Sequence, residues 1–148
     1  MKTITKSDVL IVGAGLTGLC IAYLLRKSGH EVIIIEARPR IGGRIHTIHY
    51  ADGGSIEMGA TWLGKKHQLL RALLAELGLA TFEQLLGEKA IYEPISTSPP
   101  QLVQLPHNDA PSYRIQGGSS ALINTLTRHI DAEQIRLNQV VQSIREVG

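Results

Sequence analysis

The sequence predicts an α/β fold organised around a parallel sheet, and three observations lead there. Asp8–Val12 (DVLIV) is a short apolar, β-branched run closed by Gly13-Ala14-Gly15. Leu16–Ser28 then reads as a helix rich in Leu, Ile and Ala, stopped by Gly29 in the C′ position that glycine favours. Glu31–Ile35 (EVIII) is a second apolar run, and Glu36 closes it. Such runs fit strands buried on both faces. Strand, glycine turn, helix and strand within thirty residues form a βαβ unit with a right-handed crossover.

Beyond Arg38 the texture changes, and ten of the fifteen glycines lie in the first 64 residues. Arg44–Tyr50 and Ser55–Met58 alternate around Ala51-Asp52-Gly53-Gly54, the pattern of a β-hairpin. An amphipathic helix is expected from His67 to Leu77, with Leu69, Leu70, Leu73, Leu74 and Leu77 on one face and Gly78 at its end. Residues 87–112 hold five of the six prolines and read as a loop or linker, with a strand near Ala90–Tyr92. Gly117-Gly118-Ser119 opens a helix to about Ile130, burying Leu122, Ile123, Leu126 and Ile130. Ile135–Leu137 and Val140–Ile144 read as a third and a fourth strand. Three segments result: 1–66, the βαβ unit with its glycine-rich hairpin; 67–112, a helix and proline-rich linker; and 113–148, a helix and strands returning to the first unit.

Composition bounds the function. A chain of 148 residues, 43% hydrophobic and 19% charged, holds one domain with a real core. Fifteen Lys and Arg against thirteen Asp and Glu leave a net charge of +2, without the basic stripe that nucleic acid demands. The single cysteine, Cys20, rules out an internal disulfide framework and is expected to be a small core residue. His46 and His49 are a weak metal pair, and solvated roles are the default for them, as for His67 and His107. Val9–Leu25 carries no charge, but Gly13, Gly15 and Gly18 interrupt it and no cleavage site follows. The expectation is a soluble, cytoplasmic protein with no membrane partner.

The sharpest motif is Gly13-x-Gly15-x-x-Gly18, set between a strand and a helix. The first glycine allows the tight turn, the second lets a pyrophosphate approach the backbone, and the third lets helix and strand pack closely. The helix N-terminus adds free N–H groups and the positive end of its dipole. Glu36, separated from Gly18 by seventeen residues, stands where an acid accepts hydrogen bonds from ribose hydroxyls and disfavours a 2′-phosphate. The bland alternative is a solvated glutamate at a strand end. Arg38, Arg40, Ile41, Gly42, Gly43 and Arg44 make a second close-approach site, with a bidentate cation beside it. Gly59-Ala60-Thr61-Trp62 offers small residues against which a flat ring could lie, although a core or interface role is the default for Trp62. These features describe a Rossmann-like dinucleotide-binding fold.

DVLIVGAGLTGLCIAYLL, EVIIIEARPRIGGRIHT and GGSIEMGATWLG together resemble the N-terminal portion of the flavin-containing amine oxidases, the monoamine and polyamine oxidase group. YRIQGGSSA and IRLNQVVQSI resemble a later segment of the same domain. The resemblance implies FAD as cofactor. Gly13, Gly15, Gly18 and Arg44 would serve its pyrophosphate, with Leu16 and Thr17 between them. Glu36 would hold the adenosine ribose, with Ala37 and Arg38 beside it. Gly43 would lend backbone to the phosphates, with Gly42 beside it at the cofactor, Val141 would meet the adenine through its main chain, and Gly59, Ala60, Thr61 and Trp62 would lie near the flavin ring. The implied reaction moves hydride from the carbon bearing an amine nitrogen to flavin N5, and oxygen then reoxidises the flavin with release of hydrogen peroxide.

The sequence also departs from that family. Members are typically much longer, residues 67–112 correspond to a shortened remnant of the substrate domain, and the lysine near N5, the aromatic pair flanking the amine and the last flavin-domain strand have no counterpart. No catalytic acid, base or nucleophile is assigned, and the chain alone is expected to be inactive. With three parallel strands where such sheets normally have about five, the flank of the first strand is expected to lie open, favouring self-association or a complementing chain. Two other readings stand beside this one. One is a non-catalytic dinucleotide-binding module or one subunit of a split flavoenzyme. The other is an NAD-dependent enzyme, which would not need the Arg38–Arg44 cluster.

Overall fold

A computed structural model describes residues 6–85, 87–106 and 110–146. In chain order these form β1 (Val9–Val12), α1 (Leu16–Lys27), β2 (Val32–Ile35), β3 (Thr47–His49), β4 (Ser55–Glu57), β5 (Leu63–Gly64) and α2 (Gln68–Glu76). There follow β6 (Thr81–Glu83), β7 (Lys89–Tyr92), β8 (Gln101–Gln104), β9 (Ser112–Ile115), α3 (Ser120–Thr127), a 3₁₀ turn (Ala132–Gln134) and β10 (Ile135–Arg136). His107 lies outside the described residues.

The expected βαβ unit is present. β1 pairs with β2 in parallel, Val9 opposite Val32 and Val12 opposite Ile35. β10 joins the other side of β2, also in parallel, so the order is β1-β2-β10. The central strand carries the burial: Val32 and Ile34 are fully enclosed. β1 does not meet the expectation of burial on both faces, because Leu10 is 53% and Val12 58% exposed. It is an edge strand with one neighbour among the described residues, as three parallel strands dictate.

α1 lies against the sheet and against α3, burying Leu19, Ala22 and Tyr23. Leu122, Ile123 and Leu126 of α3 close the core with Ile11 and Leu74. Each such side chain taken from water contributes about 1.5–3 kcal/mol. Cys20 packs partly buried against this core, and burial pushes its thiol pKa up. Gly29, at φ +85°, ends α1 as expected.

Elsewhere the structure corrects the sequence reading. In α2 only Leu74 is fully buried, with Leu70, Leu73 and Leu77 beside it, while Leu69 is 89% exposed. Leu69 stands about 100° round the helix from Leu70, outside the buried stripe. The segment 87–112 is not simply a linker: β7 and β8 form an antiparallel hairpin, with Ala90 opposite Val103. A second sheet, β5-β9-β6, gathers short antiparallel strands from all three expected segments. Val140–Ile144 forms no strand, and its Val140 and Ile144 are exposed. An alternating run becomes a strand only where a neighbour accepts its hydrogen bonds, and none does so there among the described residues. No helix among them is long and apolar enough to cross a membrane.

Candidate dinucleotide site

The turn after β1 is built by main chain. Gly13 sits at φ +100°, where a side chain would be strained, and its N–H continues the sheet by donating to Ile35 O at 2.7 Å. A Cβ on Gly18 would stand 2.1 Å from Gly13 O, so only glycine lets α1 approach the turn this closely. Gly15 caps α1 without any side-chain hydrogen bond, which leaves the first-turn N–H groups and the positive end of the dipole facing outward.

The second glycine cluster docks on the first. Gly42 N–H donates to Ala14 O at 2.8 Å, and a Cβ on Gly43 would lie 3.3 Å from Gly15 Cα. Arg40 braces this loop from within, donating from Nη2 to Gly43 O at 2.9 Å and from Nη1 to Ile41 O at 3.2 Å.

Glu36 ties the end of β2 to the same turn. Its Oε2 accepts the Ala14 N–H at 2.8 Å and its Oε1 accepts the Arg38 N–H at 2.9 Å. The Arg38 amide, helped by the Ala14 amide and the Arg38 charge, holds the carboxyl below the usual range against the opposing effect of burial. The Ala14 and Arg38 amides thus take up part of the acceptor capacity of the carboxylate, which has roughly four lone-pair sites. The backbone beside it is clamped: Glu36 N–H donates to Arg136 O, and Gln139 N–H to Glu36 O.

The third wall comes from the β3–β4 hairpin. Met58 N–H donates to His46 O at 2.8 Å, and Ala60 N–H to Arg44 O at 3.2 Å. A Cβ on Gly59 would fall 1.9 Å from Arg44 O. Glycine is required there.

These three walls enclose a cavity of about 1040 Å³. Of the residues expected at the site, Gly13, Gly15, Leu16, Thr17, Gly18, Glu36, Arg38, Gly42, Gly43, Arg44, Gly59 and Ala60 line it. Ala37, Thr61, Trp62 and Val141 do not. Ala37 points to solvent beside Glu36, and Val141 is half-buried beyond β10. Trp62 is 63% exposed and so not a core residue, whereas its neighbour Leu63 is buried. The Thr61 hydroxyl is buried without a hydrogen-bond partner. Val12, Arg40, Ile45, His46 and Met58 also line the cavity and were not expected there, although Arg40 belongs to the arginine-glycine cluster singled out above. Among the described residues no set of three or more His, Cys, Asp or Glu side chains is placed to hold a metal.

The cavity therefore pairs an uncapped helix start and three arginines with a single acid, the chemistry of a diphosphate flanked by a hydroxyl-bearing group. Fold and site together define a dinucleotide-binding α/β protein. The family of flavin containing amine oxidoreductases matches residues 16–93, and the chain belongs to it. Its cofactor is FAD, and the glycine cradle, the uncapped helix and Glu36 fit that dinucleotide.

Bovine (Bos taurus) amine oxidase [flavin-containing] B is 31% identical over 123 residues, which cover 83% of this chain and 21% of that protein. The L-amino-acid oxidase of Bungarus fasciatus is 39% identical over 79 residues, 53% of this chain and 15% of that protein. A redesigned double mutant of putrescine oxidase superposes with a TM-score of 0.71 at 21% identity, covering 89% of this chain and 51% of that one, a likeness of fold. The chain spans about a fifth or less of these two curated relatives.

Proposed function

We propose that this chain is the FAD-binding part of an amine oxidase-like oxidoreductase acting on small-molecule amines. The observation that carries the reading is the convergence of the Gly13–Gly18 turn, Glu36 and the Gly42–Arg44 loop on one cavity. FAD held there would supply a two-electron acceptor, able to take hydride at N5 from the carbon bearing an amine nitrogen, with dioxygen as the final oxidant and hydrogen peroxide as its product.

The residues of this chain bind and orient. The free amides at the start of α1 face the diphosphate, and Arg38 and Arg44 add charge beside it. Glu36, kept anionic by its amide donors, accepts from the ribose hydroxyls of the adenosine half. Gly59 and Ala60 bring bare main chain to the wall facing the flavin end.

A second reading has its own support: β1 is an open edge, and the described residues supply no acid–base or nucleophile constellation. On that reading the chain is a non-catalytic module, or a subunit completed by another chain. The test releases bound cofactor with acid and identifies it, then assays amine-dependent peroxide. Flavin with peroxide supports the enzyme, flavin without peroxide supports the module, and a nicotinamide overturns both.

A further inference from the structure

The Gly117-Gly118-Ser119-Ser120 motif is not used by the cavity itself. It instead meets the hairpin that forms the cavity's third wall. Glu57, the last residue of β4, directs its Oε1 to the start of α3, where it accepts the Ser119 N–H at 2.6 Å. Its Oε2 accepts the Thr47 hydroxyl at 2.9 Å. Thr47 and Ser120 complete the joint reciprocally: Ser120 N–H donates to Thr47 Oγ1 at 2.9 Å, and Thr47 N–H to Ser120 Oγ at 2.8 Å. Thr47 and Ser119 are both buried.

The fit leaves no slack. Gly118 stands at φ +87°, and a Cβ there would lie 2.6 Å from Thr47 Cγ2 and 3.0 Å from Glu57 Oε1. α3 is itself fixed, because Leu122, Ile123 and Leu126 are in the core. The hairpin is otherwise exposed, with Ile56 48% and Met58 61% accessible. Three hydrogen bonds thus tie it to the start of α3, one of them made by the Glu57 carboxylate, which also holds the Thr47 hydroxyl within the hairpin. Met58, Gly59 and Ala60 follow Glu57 directly and line the cavity.

We infer that Glu57 is a positioning residue for the cofactor cavity: by latching β3–β4 to the N-terminus of α3 it sets the wall formed by Met58, Gly59 and Ala60. This rests on the dinucleotide reading of the cavity, but the latch can be judged without a ligand. The amides of Met58 and Ala60, bonded to His46 O and Arg44 O, report the wall by hydrogen exchange in the cofactor-free chain.

Replacing Glu57 with alanine (Glu57→Ala) should speed exchange at those two amides about tenfold or more, while the amides of β2 keep their protection. It should weaken FAD binding roughly tenfold to a hundredfold, the scale of losing charge-assisted hydrogen bonds. Glu57→Gln keeps an acceptor for the Ser119 N–H and should stay within a few-fold of the parent in both readouts. If Glu57→Ala does not fold, Thr47→Val, which removes the hydroxyl at nearly constant volume, should loosen the same amides.

Three results overturn the inference: parental exchange at Met58 and Ala60 in the alanine variant, unchanged FAD affinity despite faster exchange, or equal loosening of β2, which marks a merely structural role. A parent chain that binds no FAD overturns the dinucleotide reading instead, and the exchange pattern still decides whether Glu57 holds the hairpin.

Discussion

Glu36 accepts the Ala14 N–H at 2.8 Å across twenty-two residues of sequence, so the acid that ends β2 also holds the glycine turn that ends β1. One carboxylate therefore has two roles, fixing the turn and facing the ligand. Glu36→Ala leaves the Ala14 and Arg38 amides without their acceptor and should cost about 1–3 kcal/mol of stability, with FAD affinity falling in parallel. Glu36→Gln keeps an acceptor for one amide and should recover part of the stability. Urea melts with and without FAD measure both; unchanged affinity in the alanine variant would refute the ribose assignment.

The same carboxylate predicts a pH dependence. Its folded pKa lies below the ordinary value of 4.5, so folding favours the ionised form. The stability this supplies is complete above the unfolded value and is lost as the pH falls through the folded one. The difference in urea midpoint between the parent and Glu36→Gln should be full near neutrality, begin to shrink as the pH nears 4.5 and vanish only below the lower folded pKa. A gap that persists in acid would mean that the charge is not its source.

Gly59→Ala tests the third wall. The added Cβ would meet Arg44 O at 1.9 Å, so the hairpin must move away from the Arg44 loop. Such overpacking costs about 1–3 kcal/mol, and here it falls on an exposed hairpin rather than the core. The expected outcome is a modest drop in the melting temperature with a larger loss of FAD binding; a variant that binds FAD as the parent does removes the close approach from the site.

The open flank of β1 predicts association. Sedimentation over a range of concentrations should show reversible self-association, and Leu10→Lys, on the exposed face of that strand, should weaken it by adding the charge that protects sheet edges. The substitution should change stability by no more than about 0.5 kcal/mol, as is usual at exposed positions. A monomer at all concentrations would argue against an exposed edge in need of a partner.

The βαβ unit was legible because its signals are local: two β-branched runs, a helical stretch, and glycines at the turn and the helix end. The β3–β4 hairpin was legible from alternation around a glycine turn. The β5-β9-β6 sheet was not, because strands of two to four residues drawn from distant segments have no period of their own. Val140–Ile144 misled for the opposite reason, since alternation reports a face and not the presence of a neighbouring strand. At the site, the glycines and Glu36 were visible because backbone geometry leaves a mark on residue type. His46 and Met58 reach the cavity only through the folding of the hairpin, so nothing in their immediate sequence marks them. Thr61 and Trp62 adjoin the wall in sequence but fall outside it in space.

Trp62 has a practical consequence. It is the chain's single tryptophan, mostly exposed, and two residues from a position that lines the cavity. An indole bathed in water emits at long wavelength and is readily quenched, so any molecule that covers it or absorbs its light will dim or blue-shift the signal. Occupancy of the neighbouring chamber can then be followed by the chain's own fluorescence, without an added dye.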